Sequence, residues 1–102
     1  MSRYRLTPKA SADVVEIWDY IARDNTEAAD RVEIAIHNAC ALLAYSPLIG
    51  HTRNDVTNLS VRFWTVPLYP NYVIIYDPAG SPLKIIRVLH GARNMHRLLR
   101  NE

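Results

Sequence analysis

Two arginines and a histidine, Arg87, His90 and Arg93, follow one another at three-residue intervals near the C-terminal end of the chain. Residues 85–89 are apolar on both alternating faces apart from Arg87, which predicts a central strand that is covered on both sides. A charge inside such a strand needs a partner or an opening. Gly91 ends the strand, because glycine turns freely into positive φ. We therefore predict that the strand delivers these three side chains to its end, where the arginines bind an anion.

Charge is distributed unevenly along the chain. The formal net charge is +2, but residues 59–102 hold six Lys or Arg against two Asp or Glu, a net charge of +4. Residues 1–58 hold six against eight, a net charge of −2. Ten of the twelve bases are arginines, which bind phosphate and carboxylate groups bidentately. The basic half predicts an anionic partner, either a phosphate backbone or an acidic protein, and a solvated basic surface is the alternative.

His37 and Cys40 lie three residues apart on a predicted helix, a spacing that suits half of a metal site. No second pair follows at a suitable spacing, so we predict no metal and no cofactor. Cys40 is the single cysteine and cannot form an internal disulfide. The N-terminus lacks the apolar segment of a signal peptide, and no apolar run approaches the ~20 residues of a membrane span. These features predict one cytoplasmic domain.

Two helices are predicted in the N-terminal half of the chain. The first follows a short strand at residues 4–6, with Thr7 as the N-cap and Pro8 at the first helical position. The second begins at residues 25–26 and ends at Ser46, because the residue before a proline is disfavoured in helical angles. The apolar stripe of the first helix comprises Ala10, Val14, Ile17, Trp18 and Ile21, and that of the second comprises Ala28, Val32, Ala35, Ile36, Ala39, Leu42 and Leu43.

Three strands are predicted in the C-terminal half, at residues 61–66, 72–76 and 83–89. A loop at residues 47–58 precedes them, and a short basic helix at residues 94–100 follows them. The predicted fold class is α+β with the order β-α-α-β-β-β. In this arrangement an antiparallel helix hairpin packs on a C-terminal antiparallel β-meander, which the N-terminal strand extends.

The two tryptophans are predicted to differ in environment. Trp18 lies on the apolar stripe of the first helix and is predicted to be in the core. Trp64 has the opposite parity to Val61 and Phe63, so one of these sets faces away from the helices. The outward set is either an exposed partner contact or part of a second covered face, and parity leaves both open.

The order of these elements and several short motifs resemble the ParE/RelE superfamily, the toxin halves of bacterial toxin–antitoxin pairs. The match runs nearly end to end. The most specific motif resembles the closing motif of the ParE branch, except that Asn94 stands where an aspartate is common, and it reads Arg87-Val88-Leu89-His90-Gly91-Ala92-Arg93-Asn94. The other matching segments are Leu6-Thr7-Pro8-Lys9-Ala10, Ile17-Trp18-Asp19-Tyr20-Ile21-Ala22, Ala29-Asp30-Arg31-Val32, Ser46-Pro47-Leu48-Ile49-Gly50 and Tyr72-Val73-Ile74-Ile75-Tyr76.

The resemblance implies a single toxin domain over residues 1–102 that is neutralised by a ParD-like antitoxin from a neighbouring gene. ParE-type members act on DNA gyrase, whereas RelE-type members enter the ribosome and cut mRNA, and the shared fold does not decide between them. Cutting RNA in this way requires a base, an acid and cations around the attacked phosphorus. For that chemistry His90 would be the acid or base, Arg62 and Arg87 would hold phosphate, and Tyr72 or Tyr76 would orient a base or hydroxyl.

RelE-type sites typically carry several lysines or a carboxylate–histidine pair, and they end in a tyrosine-bearing tail. This chain has only two lysines, Lys9 and Lys84, and no tyrosine after Tyr76. We therefore predict inhibition of DNA gyrase by binding, without covalent chemistry, with a ribosome-dependent mRNA endonuclease as the alternative and an inert binding module as a third possibility. As structural roles, Arg87 would pair with Asp19 or Glu16, and His90 would bond to the backbone. The predicted target-binding residues are Arg62, Arg87, His90, Arg93, Arg97 and Arg100.

Overall fold

The computed structural model describes residues 3–53 and 60–91 of the chain. Its elements are, in order, β1 (Tyr4–Leu6), α1 (Pro8–Ala22), α2 (Thr26–Tyr45), β2 (Arg62–Thr65), β3 (Tyr72–Asp77) and β4 (Leu83–His90). This is the predicted β-α-α-β-β-β order, and it confirms the α+β fold class. The predicted terminal helix at residues 94–100 and much of the predicted loop lie outside the described residues.

Both helices begin and end where the sequence predicts. Thr7 caps α1 by accepting a hydrogen bond from the Ala10 N–H at 3.1 Å, and Asn25 caps α2 by accepting one from the Ala28 N–H at 3.0 Å. Ser46 is the C-cap of α2, and its N–H donates to the Leu42 carbonyl. Neither helix of the described part is long and apolar enough to cross a bilayer.

The four strands form one mixed sheet in the order β1-β4-β3-β2. The pairs β2–β3 and β3–β4 are antiparallel, as predicted for a meander, and β1 adds to the free edge of β4 in parallel. β4 is therefore a central strand, which confirms the prediction from its apolar residues. A parallel pair needs a crossover connection, and the helix hairpin provides the first part of it.

β4 contains a β-bulge that changes which face its side chains occupy. Ile75 of β3 pairs with Arg87, but Tyr76 pairs with Ile85, so Ile86 is an extra residue in β4. A bulge bends the strand and re-aims the side chains around it. As a result, Ile85 and Val88 both belong to the core under the helices although they are three residues apart.

The sheet carries an apolar cluster on each face. The larger one fills the space between the sheet and the helix hairpin, and its largest fully buried side chains are Tyr76, Ile36, Leu43, Ile74 and Ile85. The second consists only of strand and strand-flanking residues, so it lies on the opposite face of the sheet. Its members are Val61, Phe63, Ile75 and Leu89, with Val73 and Ile86 packed against them. This two-sided burial explains the apolar residues of both parities in β3 and β4.

Three sequence predictions about side-chain burial need correction or completion. Trp18 is only partly buried, because it lies at the margin of the helix hairpin and donates from its indole N–H to Asp30 at 2.8 Å. Leu42 is exposed, whereas Cys40, which the predicted stripe left out, is fully buried. Trp64 packs partly buried against the core under the helices, and Val61 and Phe63 are the residues on the other face.

Candidate functional site

Arg87 is held by Asp13 of α1 in a bidentate ion pair. The guanidinium donates from Nε to Oδ2 at 2.8 Å and from Nη2 to Oδ1 at 2.9 Å, and the two side chains are 13% and 12% exposed. Oδ2 also accepts from the Val88 backbone N–H at 3.0 Å. Planar two-point pairing of this kind fixes both groups in one geometry. Arg87 therefore joins the central strand to the first helix.

Arg87 forms an ion pair with a carboxylate of the first helix, as predicted. The partner is Asp13, however, and not Asp19 or Glu16. β1 ends at Leu6, so the edge of β4 beyond it has no strand neighbour. Thr7 satisfies the next carbonyl groups on this edge of β4. Its N–H donates to the Ile85 carbonyl, and its hydroxyl donates to the Ile86 carbonyl at 2.9 Å. α1 starts at this point, so its second turn passes Arg87 and brings Asp13 opposite it.

Arg62 is also engaged within the fold. Its Nη1 donates to the Gly50 carbonyl at 2.8 Å and to the Leu48 carbonyl at 3.3 Å. It thereby ties strand β2 to the turn that follows α2, and Tyr76 supports the same turn from below. Arg62 and Arg87 therefore lie in different places, because Arg62 contacts the turn after α2 and Arg87 contacts α1.

Tyr76 has a structural role that excludes it as a substrate-orienting group. The side chain is fully buried, and its hydroxyl donates to the Pro47 carbonyl at 2.6 Å and accepts from the Gly50 N–H at 3.0 Å. Burial raises the pKa of Tyr76, partly offset by the Gly50 hydrogen bond and the nearby Arg62 charge. The hydroxyl therefore stays protonated and holds the turn after α2 in place.

His90 is exposed at the end of β4, where its ring meets the Tyr72 ring edge to face with 5.1 Å between centroids. In the described part of the chain this ring contact, not the predicted backbone bond, positions the imidazole. His90 and Tyr72 form one wall of a groove of about 670 Å³ that α1 completes with Glu16, Ile17, Asp19, Tyr20 and Arg23. Burial raises the pKa of Tyr72, and the neighbouring Tyr20 adds to that effect.

The turn after β4 follows the prediction for Gly91. This glycine has φ +65°, in the left-handed region that favours glycine, and its N–H donates to the Asn71 carbonyl at the far end of the β2–β3 connection. Arg93, Arg97 and Arg100, the remaining predicted target-binding residues, lie outside the described residues.

Of the groups that the sequence indicates for RNA cleavage, His90 and Tyr72 share one groove, but the other described candidates do not join them there. Arg87 is neutralised by Asp13, Arg62 binds backbone carbonyls elsewhere, and Tyr76 is buried. The groove beside His90 contains two carboxylates, Glu16 and Asp19, and one arginine, Arg23. Asp13, the partner of Arg87, was not predicted from the sequence. The only sequence signal for it is that Asp13 lies off the apolar stripe of the first helix.

His37 and Cys40 both have local roles. The Nδ1 atom of His37 lies 2.7 Å from the hydroxyl of Tyr4, which joins α2 to the edge strand. Cys40 is fully buried, and desolvation raises the pKa of its thiol to about 12. No group of three potential metal ligands occurs among residues 3–53 and 60–91.

Comparison with known proteins decides the family. A family model described as "ParE toxin of type II toxin-antitoxin system, parDE" matches residues 4–95. The chain belongs to this ParE toxin family. A curated relative, Toxin RelE2 of Caulobacter vibrioides, is 32% identical over 93 residues, which cover 91% of this chain and 99% of the relative.

A solved structure supports the same fold. It is described as the chromosomal ParDE TA system from P. aeruginosa, and it matches with a TM-score of 0.70 at 22% identity, covering 89% of this chain and 97% of that chain. The ParE family assignment makes the chain the toxin component of a type II toxin–antitoxin system, with an antitoxin as its partner.

Proposed function

We propose that this ParE-family toxin inhibits DNA gyrase in the cytoplasm by binding it, and that a ParD-like antitoxin reverses the inhibition. The observation that carries the proposal is the family match over residues 4–95, joined to a site whose two described arginines are occupied by internal partners. A binding inhibitor needs a fixed surface and no acid or base. The ion pair of Arg87 with Asp13 serves that purpose by holding β4 and α1 together.

The target-binding surface we propose is the end of the sheet where β4 turns at Gly91. His90 is exposed there, and the chain continues from it into the arginine-rich segment with Arg93, Arg97 and Arg100. Arg62, which the sequence prediction also assigned to target binding, pairs with Tyr76 at the other end of β3 and is therefore not part of this surface. Arg87 is a positioning residue on this proposal, because its guanidinium is directed to Asp13 and only 13% exposed.

The antitoxin is proposed to cover apolar surface on the helix hairpin and on the sheet, as either a helix or an extended segment. On the hairpin, α2 and the turn after it expose several large apolar side chains. They are Ile34 at 59%, Leu42 at 41%, Tyr45 at 81% and Leu48 at 69% exposure. Exposed apolar surface supports the proposal because it is typical of protein interaction sites.

The decisive experiment is supercoiling of relaxed plasmid by gyrase, with the purified chain added over a concentration series. Inhibition that the cognate antitoxin reverses is the expected result. His90→Ala should weaken the inhibition, whereas His51→Ala, which removes the exposed histidine stacked on Trp64 at 6.2 Å, is the matched control and should not. No inhibition at large excess of folded protein would refute the gyrase proposal.

The second candidate is the mRNA endonuclease, which the relative named Toxin RelE2 favours. A translation reaction with the same protein samples tests it. Cleaved mRNA that appears only when ribosomes are present would establish this activity, and His90→Ala should then abolish cleavage while the protein stays folded. Intact mRNA together with inhibited gyrase would exclude it.

A further inference from the structure

The connection between β2 and β3 is a rigid tip made of two successive tight turns. The Tyr69 N–H donates to the Val66 carbonyl at 3.1 Å, and the Tyr72 N–H donates to the Tyr69 carbonyl at 3.0 Å. Each turn has a proline at its second position, Pro67 in the first and Pro70 in the second, which presets the backbone angle there. A further bond from the Val66 N–H to the Tyr72 carbonyl, at 2.9 Å, closes the base.

Leu68 at the third position of the first turn is in an unfavourable conformation. Its φ is +72°, the value that this turn type requires at that position, where glycine or asparagine is preferred. Leucine in the left-handed region brings Cβ too close to the backbone, so the conformation is strained. No other non-glycine residue of the described part has a positive φ. Strain of this kind is found preferentially at functional sites.

The side chain of Leu68 is not buried, so no packing energy offsets this strain. It is 89% exposed, the highest value among the exposed large apolar residues of the described chain. The next residue, Tyr69, packs against the core under the helices, so the turn directs one neighbour inward and Leu68 outward. Exposure and strain are two separate costs at one position, which a glycine or asparagine would remove.

The surroundings of Leu68 suit an apolar pocket and not a charged one. No Asp, Glu, Lys, Arg or His occurs from Phe63 to Tyr76, and Pro67 and Pro70 are exposed beside Leu68. The tip carries no charged residue of its own, and hydrogen bonds within the chain hold it in shape. Such a preorganised apolar projection loses little conformational entropy when it enters a preformed cavity of a folded protein.

We propose that Leu68 is the anchor residue of a target-docking surface, and that it inserts into an apolar pocket of the protein that this toxin inactivates. The inference rests on the proposed function in one respect, that the toxin acts by binding a folded protein. It assigns the β2–β3 tip to the target, since the antitoxin is proposed above to cover other apolar residues, those exposed on α2. The tip adjoins His90 through Tyr72, so the two contacts are continuous.

The test compares Leu68→Gly and Leu68→Asn with the wild type and with Val15→Gln, a control that removes an exposed apolar side chain, 59% exposed, from α1 and should behave as the wild type. Relief of the strain should leave Tm unchanged or raise it by up to about 5 °C in the two Leu68 variants. Both should lose growth arrest on expression while still binding the cognate antitoxin. In the supercoiling assay their half-inhibitory concentration should rise about 10-fold or more, as for truncation of an interface anchor.

Two results would overturn the inference. One is growth arrest by Leu68→Gly and Leu68→Asn that equals the wild type, and the other is loss of antitoxin binding with growth arrest retained, which would make the antitoxin the occupant. The growth assay does not depend on which protein is the target. If the wild type arrests growth but leaves gyrase active, the gyrase proposal fails, and the growth results alone still decide the role of Leu68.

Discussion

Replacement of Asp13 by alanine tests the structural role assigned to Arg87. The carboxylate accepts three hydrogen bonds, two from the guanidinium and one from the Val88 N–H, at 2.8 to 3.0 Å. Asp13→Ala leaves a charge that is 13% exposed and a backbone donor, both without this acceptor. Removal of one partner of a buried pair costs about 3 to 5 kcal/mol, and the residual exposure favours the lower value, about 3 kcal/mol. For a chain of this size that corresponds to a fall in Tm of roughly 12 °C.

Urea denaturation of a matched set of variants measures this cost. Asp19→Ala is the control, because Asp19 is exposed and was the partner that the sequence indicated, and its removal should change the free energy of unfolding by less than about 0.5 kcal/mol. The double variant Asp13→Leu with Arg87→Met removes both charges. It should lose only about 1 kcal/mol, mainly from the orphaned Val88 N–H.

The double variant also separates folding from target binding. If Arg87 only positions β4 against α1, a folded double variant should inhibit the target as the wild type does. Loss of inhibition in that variant would show that Arg87 contacts the target. The structural reasoning itself fails if Asp13→Ala is no more destabilising than Asp19→Ala, because the ion pair would then contribute no more than an exposed carboxylate.

Two further predictions concern buried groups away from the target-binding surface. A Cβ on Gly50 would lie 2.4 Å from the Tyr76 hydroxyl oxygen and 2.8 and 2.9 Å from two ring carbons, so Gly50→Ala should destabilise the protein by about 1 to 3 kcal/mol in urea denaturation. A Gly50→Ala variant as stable as the wild type would contradict the clash. The pKa of Cys40 is raised from 9.0 to about 12, so the folded state holds this proton more tightly than the unfolded chain. Its contribution to stability is therefore complete below about pH 9 and should fall by about 1.4 kcal/mol per pH unit towards pH 12, and a stability difference between wild type and Cys40→Ala that stays constant over this range would refute it.

The elements, their order and the family are all predictable from local sequence patterns. Thr7 with Pro8, and Asn25, mark helix starts because capping depends on residues within one turn of each other. Ser46 before Pro47 marks a helix end for an equally local reason. The apolar residues of β4 on both parities were enough to place it in the centre of the sheet, because burial on two faces leaves no room for alternation.

Side-chain contacts between distant segments, in contrast, follow from the tertiary structure. The partner of Arg87 is 74 residues away, and its identity depends on the hydrogen bonds of Thr7 to β4 and on the bulge at Ile86, neither of which has a sequence signal. The burial of Tyr76 under the turn after α2, and the outward direction of Leu68 at a strained angle, likewise follow from packing between distant segments. Local spacing fixes helices and strands because the forces involved act within a few residues, whereas these contacts depend on how the elements are registered against one another.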